Sequence, residues 1–237
     1  EMCIRDSSCS AKGKDKAKHV VFIGLDGWGA YSLPKADMPN VKKLMEDGSY
    51  TLKKRSALPS SSAINWASMF MGAGPELHGY TEWGSKTPEL PSRVLNKNGI
   101  FPTVFQLLRD ARPEAEIGCL YEWEGIKYLV DTLSLNYHYH VADCNKTPKE
   151  LGNMSSSYIK EKHPALVAIC FDGPDHTGHT EGHDTPAYYE KLKELDSYVG
   201  QIVQAVKDAG MLDDTIFILT SDHGGIDKGH GGKTMQE

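Results

Sequence analysis

The chain has 237 residues, 39% of them hydrophobic and 24% charged, and a net charge of −6. That is the composition of an ordinary globular protein, long enough for one sizeable core or two small ones. The acidic balance and the lack of a basic stripe exclude a nucleic-acid polymer or an anionic membrane surface as the main partner, and no apolar run is long enough to span a bilayer. The five cysteines, Cys3, Cys9, Cys119, Cys144 and Cys170, are odd in number and form no CxxC pair. They make neither a disulfide framework nor a thiolate zinc site.

Residues 1–18 stand apart from the rest of the chain. Ser7-Ser8-Cys9-Ser10, ahead of the polar run Ala11 to Lys16, resembles the end of a bacterial lipoprotein signal and its tether. In that reading Cys9 carries a lipid anchor and the protein faces the periplasm or the exterior. The alternative is a disordered tail. His19 to Leu25 is a continuous β-branched and apolar run, which predicts a buried strand ending in Asp26-Gly27-Trp28-Gly29. Met38 to Glu46 reads as a short helix, with Pro39 in its first turn and Gly48 at its C-cap. Ser49 to Ala57 is read as a further strand.

In Leu58 to Gly72 a serine-rich loop becomes a helix. A hydroxyl there lies near a helix N-terminus, where free N–H groups favour an anion. A serine-rich helix cap is the alternative reading of the same residues. Phe101-Pro102 opens a helix that stops before Pro113, and Ile117 to Tyr121 reads as a strand. Asn136 to Asp143 reads as an edge strand or cap element on which His138 and His140 share a face, more in keeping with exposed strand histidines than with a metal site. Residues 80–165 as a whole read as a cap-like segment.

Ala165 to Phe171 predicts the next buried strand. It runs into a polar burst, Asp172 to His183, that holds three carboxylates and three histidines. Thr185-Pro186 then starts a long amphipathic helix with Leu192, Leu195, Val199, Ile202, Val203 and Val206 on one face and Gly210 at its end. Ile216 to Leu219 predicts a last buried strand, leading into Ser221-Asp222-His223-Gly224-Gly225, and His230 lies near the end of the sequence. Strands alternating with helices predict an α/β fold, a mainly parallel sheet with helices on both faces.

Three strands thus end in Asp26, in Asp172 and Asp175, and in Asp222. Open α/β sheets place their chemistry past such carboxyl ends. Carboxylate and imidazole donors without cysteine suit divalent metals such as zinc, and a serine beside them suits displacement at phosphorus.

These motifs together resemble the alkaline phosphatase superfamily, and within it the type I phosphodiesterase/nucleotide pyrophosphatase branch. The residues that carry the resemblance are Ile23-Gly24-Leu25-Asp26-Gly27, Ser62-Ala63-Ile64-Asn65 with Gly72 and Pro75 to Gly79 downstream, Asp175 with His179, Asp222-His223-Gly224, and His230-Gly231 with Met235. The resemblance covers about residues 19–237 and implies a three-layer, alkaline phosphatase-like sandwich.

It also implies two divalent metal ions, zinc by preference. One would be held by Asp175, His179 and His230, the other by Asp26, Asp222, His223 and the Ser62 hydroxyl. Ser62 would attack a small phosphoester substrate to give a phosphoseryl intermediate, with overall retention at phosphorus. Where the diesterase branch usually has an Asn that contacts phosphate, this chain has Trp83, so Trp83 and Asn65 become the candidate substrate-binding residues. Ser62 to Trp66 lacks the x-Pro-x-Arg pattern of the sulfatase branch, which disfavours sulfate esters. The family continues with at least one more strand past Glu237, so the resemblance implies a fragment with an exposed sheet edge. The rivals are a phosphate monoesterase or phosphotransferase of the same superfamily and, from another class, a non-catalytic metal-binding protein on the same fold. His176, Glu181, His183 and Asp172 are read either as partners that orient the ligands or as solvated loop residues, with His176 and Glu181 read as solvated.

Overall fold

Among the described residues, five strands form one sheet in the order β3-β2-β4-β1-β5, and every neighbouring pair is parallel. They are β1 (His19–Leu25), β2 (Ile117–Tyr121), β3 (Tyr137–His140), β4 (Leu166–Phe171) and β5 (Thr215–Thr220). The structure, a computed structural model, describes residues 17–142, 147–232 and 236. The proposed anchor Cys9, together with Cys3, Cys144 and Met235, lies outside the described residues.

Seven α-helices among the described residues accompany the strands: α1 (Pro39–Asp47), α2 (Ser62–Met71), α3 (Pro75–His78), α4 (Val104–Ala111), α5 (Thr147–Lys162), α6 (Gly173–Glu181) and α7 (Pro186–Asp208). Alternate residues of β1 point to opposite faces. Val21, Ile23 and Leu25 join a core with Val41 of α1, Leu151 and Ile159 of α5, and Leu192, Val199 and Ile202 of α7. Val20 and Phe22 pack against the other core, which contains Ala63, Trp66 and Phe70 of α2 and Phe105 of α4. The sheet is therefore the middle of three layers, and strands covered on both faces read as unbroken apolar runs.

The long α7 does more than cover the sheet. Its buried Asp196 accepts hydrogen bonds from the backbone N–H groups of Asn40 (3.0 Å) and Val41 (2.8 Å). The first turn of α1 is thereby capped from another element, its own N-cap residue being Met38, which has no side-chain acceptor. Thr185 caps α7 itself, accepting from the Tyr188 N–H.

Several expectations need correction. Ser49 to Ala57 is not a strand: residues 49–55 are exposed, and no ladder pairs them. β5 is not buried but is an edge strand. Phe217 and Leu219 pack on one core, whereas Ile216 and Ile218, on the same side of the sheet as α2 and α4 and beside Val20 and Phe22, are 50% and 43% exposed. The helix after Phe101-Pro102 begins only at Val104, where Thr103 caps it. Gly48 is the C-cap of α1, as expected, in extended backbone. The polar burst is not a loop but α6. Within residues 80–165, read as a cap-like segment, β2 and β3 join the sheet and α5 its helical layer.

Candidate metal centre

The three adjacent strands β4, β1 and β5 end side by side, with Leu25 paired to Phe171 and Gly24 to Thr220. Their next residues therefore emerge at one edge. Asp26 continues the ladder, its N–H donating to Phe171 O at 2.8 Å. The chain then turns at Gly27, whose φ is 67°. A Cβ there would lie 2.7 Å from Asp175 Oδ1, so only glycine lets the turn pass beside that carboxylate. The turn is pinned from two sides. Gly27 N–H donates to Asp222 Oδ1 at 3.1 Å and Trp28 N–H to Ser221 Oγ at 2.9 Å. Tyr188 of α7 donates its hydroxyl hydrogen to Gly27 O (2.8 Å) and accepts from Gly29 N–H (3.1 Å).

Two groups of ligand-type side chains result. Asp175, His179 and His230 form one, and Asp26, Asp222 and His223 the other, with the donor atoms of each group within 4.8 Å of one another. Asp175 and His179 meet because α6 places them four residues apart on one helical face. The His223 and His230 rings stack at 3.8 Å and join the two groups.

The histidines are all turned the same way. Their Nδ1 atoms face backbone carbonyls: Lys228 O for His179 (2.9 Å), Gly224 O for His223 (2.7 Å) and Ser60 O for His230 (2.9 Å). A carbonyl oxygen only accepts, so Nδ1 carries the hydrogen and, in the neutral ring, Nε2 presents a lone pair. Those lone pairs face carboxylates. His179 Nε2 is 3.2 Å from Asp175 Oδ2, and His230 Nε2 is 3.7 Å from Asp175 Oδ1. His223 Nε2 lies 3.3 Å from Asp222 Oδ2 and 3.4 Å from Asp26 Oδ1. Asp26 Oδ1, Asp175 Oδ1 and Asp222 Oδ2 are buried with no hydrogen-bond donor. Lone pairs and anionic oxygens turned inward on one another need a cation between them, and divalent metals bind this donor set.

In the metal-free protein protons take the place of that cation, and protonated His179 donates from Nε2 to Asp175 Oδ2. Burial, followed by the charges of Asp222, Asp175 and Asp172, pushes the Asp26 carboxyl well above the usual carboxylate range. Asp172 is pushed up to about 7 by burial and then by Asp175 and Asp222. The hydrogen bond to Asp175 is the main reason that His179 rises to about 9. Burial opposes an ionised Asp175, but its hydrogen bond to His179 and the neighbouring histidines outweigh that and hold it low.

Ser62 is the first residue of α2, and its Oγ lies 3.2 Å from His223 Nε2. The preceding loop is tied to the site, with Ser60 Oγ donating to Gly232 O at 3.0 Å. Asn65 is fully occupied. Its Oδ1 accepts from Ala57 N–H at 2.6 Å, and its Nδ2 donates to Ala57 O and Ser61 O at 3.2 and 3.1 Å. Trp83 is 68% exposed, and its backbone oxygen accepts from Ala63 N–H at 3.2 Å, which sets it beside the first turn of α2. His176 and Glu181 are exposed, whereas His183 is buried, with Nε2 3.8 Å from Asp175 Oδ1. His138 and His140 join neither group; His140 Nε2 faces Glu122 O at 2.8 Å.

Sequence reading passed over three contributors. Trp66 looked like one more apolar helix residue, yet its indole N–H donates to Asp26 Oδ2 at 2.9 Å. Tyr188 lay on the buried face of α7. Lys54 sat in the supposed strand, and its Nζ donates to Ser221 O, next to Asp222. The only signal for Trp66 was its spacing, one helical turn beyond Ser62.

Comparison with known proteins places this arrangement. The three-layer fold with its site past β1, β4 and β5 is alkaline phosphatase-like. An inactive variant of murine ectonucleotide pyrophosphatase/phosphodiesterase 5, in complex with AMP, superposes with a TM-score of 0.70 at 19% identity, over 89% of this chain and 57% of that one. A 2-O GAG sulfatase superposes at 0.69 with 12% identity, over 93% and 62%. The model of the type I phosphodiesterase/nucleotide pyrophosphatase family matches residues 20–230, and the chain belongs to that family. Bis(5'-adenosyl)-triphosphatase enpp4 of Mus musculus is 25% identical over 220 residues, which are 88% of this chain and 47% of that protein. GPI ethanolamine phosphate transferase 3 of Schizosaccharomyces pombe is 30% identical over 112 residues, 46% of this chain and 12% of that one. The chain thus spans about half the length of the first of these relatives, and less of the second.

Proposed function

We propose that the chain carries a metal-dependent phosphoester hydrolase site of the phosphodiesterase/nucleotide pyrophosphatase type, with Ser62 as nucleophile. The observation that carries this reading is the gathering of three imidazole Nε2 atoms and three donor-less carboxylate oxygens in two adjoining groups, with the Ser62 hydroxyl, at a helix N-terminus, 3.2 Å from His223 Nε2 in one of them. Asp175, His179 and His230 would hold one divalent cation, and Asp26, Asp222, His223 and Ser62 Oγ a second. Zinc is preferred for its affinity for mixed carboxylate and imidazole donors. When bound, the cations supply positive charge to the serine oxygen and to the phosphoryl oxygens.

The chain's own part is set by its geometry. Backbone carbonyls fix all three imidazoles in the tautomer that keeps Nε2 free. Ser62 Oγ stands at the positive end of α2, whose dipole stabilises charge developing on a phosphoryl oxygen. Attack forms the Ser62 Oγ–P bond and breaks the bond to the leaving oxygen. Water then cleaves the phosphoseryl ester and returns the serine. Two in-line steps, each inverting, give retention at phosphorus. Asn65 keeps the Ala57 to Ser61 loop in place rather than offering its amide to substrate. Trp83 offers an exposed indole face to the leaving group.

The relatives support a small nucleotide-like substrate: one is a bis(5'-adenosyl)-triphosphatase, and a structural neighbour is in complex with AMP. The fission yeast relative, a phosphate transferase, favours phosphotransfer as the second reading. Relatives that include an ectonucleotide pyrophosphatase and venom phosphodiesterases support a site of action outside the cytosol, in keeping with a periplasmic or lipid-anchored protein. No described helix is long and apolar enough to cross a membrane.

The test is a panel of aryl and nucleotide mono- and diesters, assayed at equal zinc loading with and without an acceptor alcohol. Faster hydrolysis of diesters, to monoester and alcohol, is expected. Preference for monoesters would sink the diesterase assignment, and phosphoryl capture by the alcohol at the expense of water would favour the transferase.

A further inference from the structure

We infer that Trp66 is a positioning residue for the candidate metal centre: its indole N–H takes Asp26 Oδ2 and so aims Asp26 Oδ1, and only that oxygen, at the cation. This inference rests on the proposed function of the site and concerns a residue which that reading does not use.

Four observations converge. First, the hydrogen bond is of ordinary length and buried from water. Trp66 Nε1 to Asp26 Oδ2 is 2.9 Å, with the indole fully buried and Asp26 only 3% exposed. An indole N–H can only donate, so it selects a carboxylate oxygen that is accepting. Second, the two oxygens of Asp26 are treated differently. Oδ2 has the indole, whereas Oδ1 has no donor and faces His223 Nε2 at 3.4 Å. With one oxygen occupied, the carboxylate is left to bind through the other.

Third, the indole cannot drift. It stacks on Phe70 at 5.7 Å and meets Phe22 edge-on at 6.3 Å. Its far side presses on the backbone of β1, where a Cβ at Gly24 would lie 2.2 Å from the ring. Glycine two residues before Asp26 is therefore what allows the ring to reach the carboxylate. Fourth, Trp66 follows Ser62 by four residues on α2, so one rigid helix carries both the hydroxyl and the group that orients the Asp26 carboxylate. Any shift of α2 against β1 would misplace both together. A buried indole placed only for packing would need an acceptor, but not a carboxylate whose other oxygen faces the centre.

Trp66→Phe keeps the stacked ring and removes the N–H. The experiment titrates metal-depleted wild type and Trp66→Phe with Zn²⁺ by calorimetry, alongside thermal melts of the metal-free proteins. Oriented ligands lose about 10- to 100-fold in metal affinity when their partner is removed. A loss of that size is expected for Trp66→Phe, with little change in the metal-free melt. Equal Zn²⁺ affinity in the two proteins overturns this inference and leaves the reading of the site intact. No Zn²⁺ uptake by wild type overturns both.

Should Trp66→Phe fail to fold, the wild type answers instead. The chain has four tryptophans, and the indole N–H resonance of Trp66 is the one that remains after substitution of Trp28, Trp83 and Trp123 in turn. That resonance is expected to shift on Zn²⁺ addition and to resist solvent exchange. An unmoved resonance under saturating Zn²⁺ overturns the inference.

Discussion

Ser62→Ala is expected to abolish turnover, by about 10³-fold or more, while Zn²⁺ still binds. The reason is positional. Ser62 contributes one oxygen beside His223 Nε2, and the other six donors come from Asp26, Asp222, His223, Asp175, His179 and His230. Alanine also suits the first turn of a helix, and Ser62 does not cap α2, since the N-cap is Ser61. The fold should therefore be unaffected. The measurements are kcat on a diester and calorimetric Zn²⁺ affinity for the same preparation. A non-catalytic metal-binding protein would show no change in either.

Asp222→Asn should separate metal binding from stability in opposite directions. Asp222 is fully buried, with Oδ1 accepting from Gly27 N–H and Oδ2 without a donor. An asparagine oriented with its carbonyl toward Gly27 keeps that hydrogen bond and puts a neutral amide where the anionic oxygen was. Zn²⁺ affinity and turnover should fall by about two orders of magnitude or more, since removal of a direct ligand costs more than the 10- to 100-fold typical of a ligand's partner. The metal-free protein should become more stable.

The sign is set by Asp26 and Asp172, both raised first by burial and then in part by Asp222. A carboxyl with a folded pKa above its unfolded value near 4 favours the folded state at low pH. That advantage is lost as pH rises, for Asp172 between about 4 and 7. Removing the Asp222 charge reduces the loss. The gain in melting temperature of metal-free Asp222→Asn over wild type should thus be larger at pH 8 than at pH 5. Zn²⁺ should erase it by stabilising the wild type more.

The alternation of apolar runs with amphipathic helices made the sheet and its parallel sense legible, because strands buried on both faces are unbroken in hydrophobicity. The carboxylates at their ends were legible for the same reason: Asp26 interrupts such a run abruptly. What failed were elements decided by their surroundings. Ser49 to Ala57 has strand-like residues but no neighbour to pair with. Ile216 and Ile218 are as apolar as any core residue, and only the strand order puts them on an open face. The polar burst hid a helix because its inward side is Asp175, Thr177 and Gly178 rather than aliphatic. Within the site, the residues offering ligand atoms were readable by chemical type. The groups that orient them were not. Backbone carbonyls of Lys228, Gly224 and Ser60 have no sequence signature, and a tryptophan on a buried helix face looks like packing until its N–H is seen on Asp26.

The proposed reaction turns on a covalent bond between Ser62 and phosphorus, and its stereochemical course tests that bond most directly. A chiral phosphorothioate diester, hydrolysed by the Zn²⁺-loaded protein in ¹⁸O-labelled water, should give product with retained configuration, from two successive inversions through phosphorylated Ser62. Inverted configuration would mean that water attacks phosphorus in a single step, and would contradict Ser62 as nucleophile.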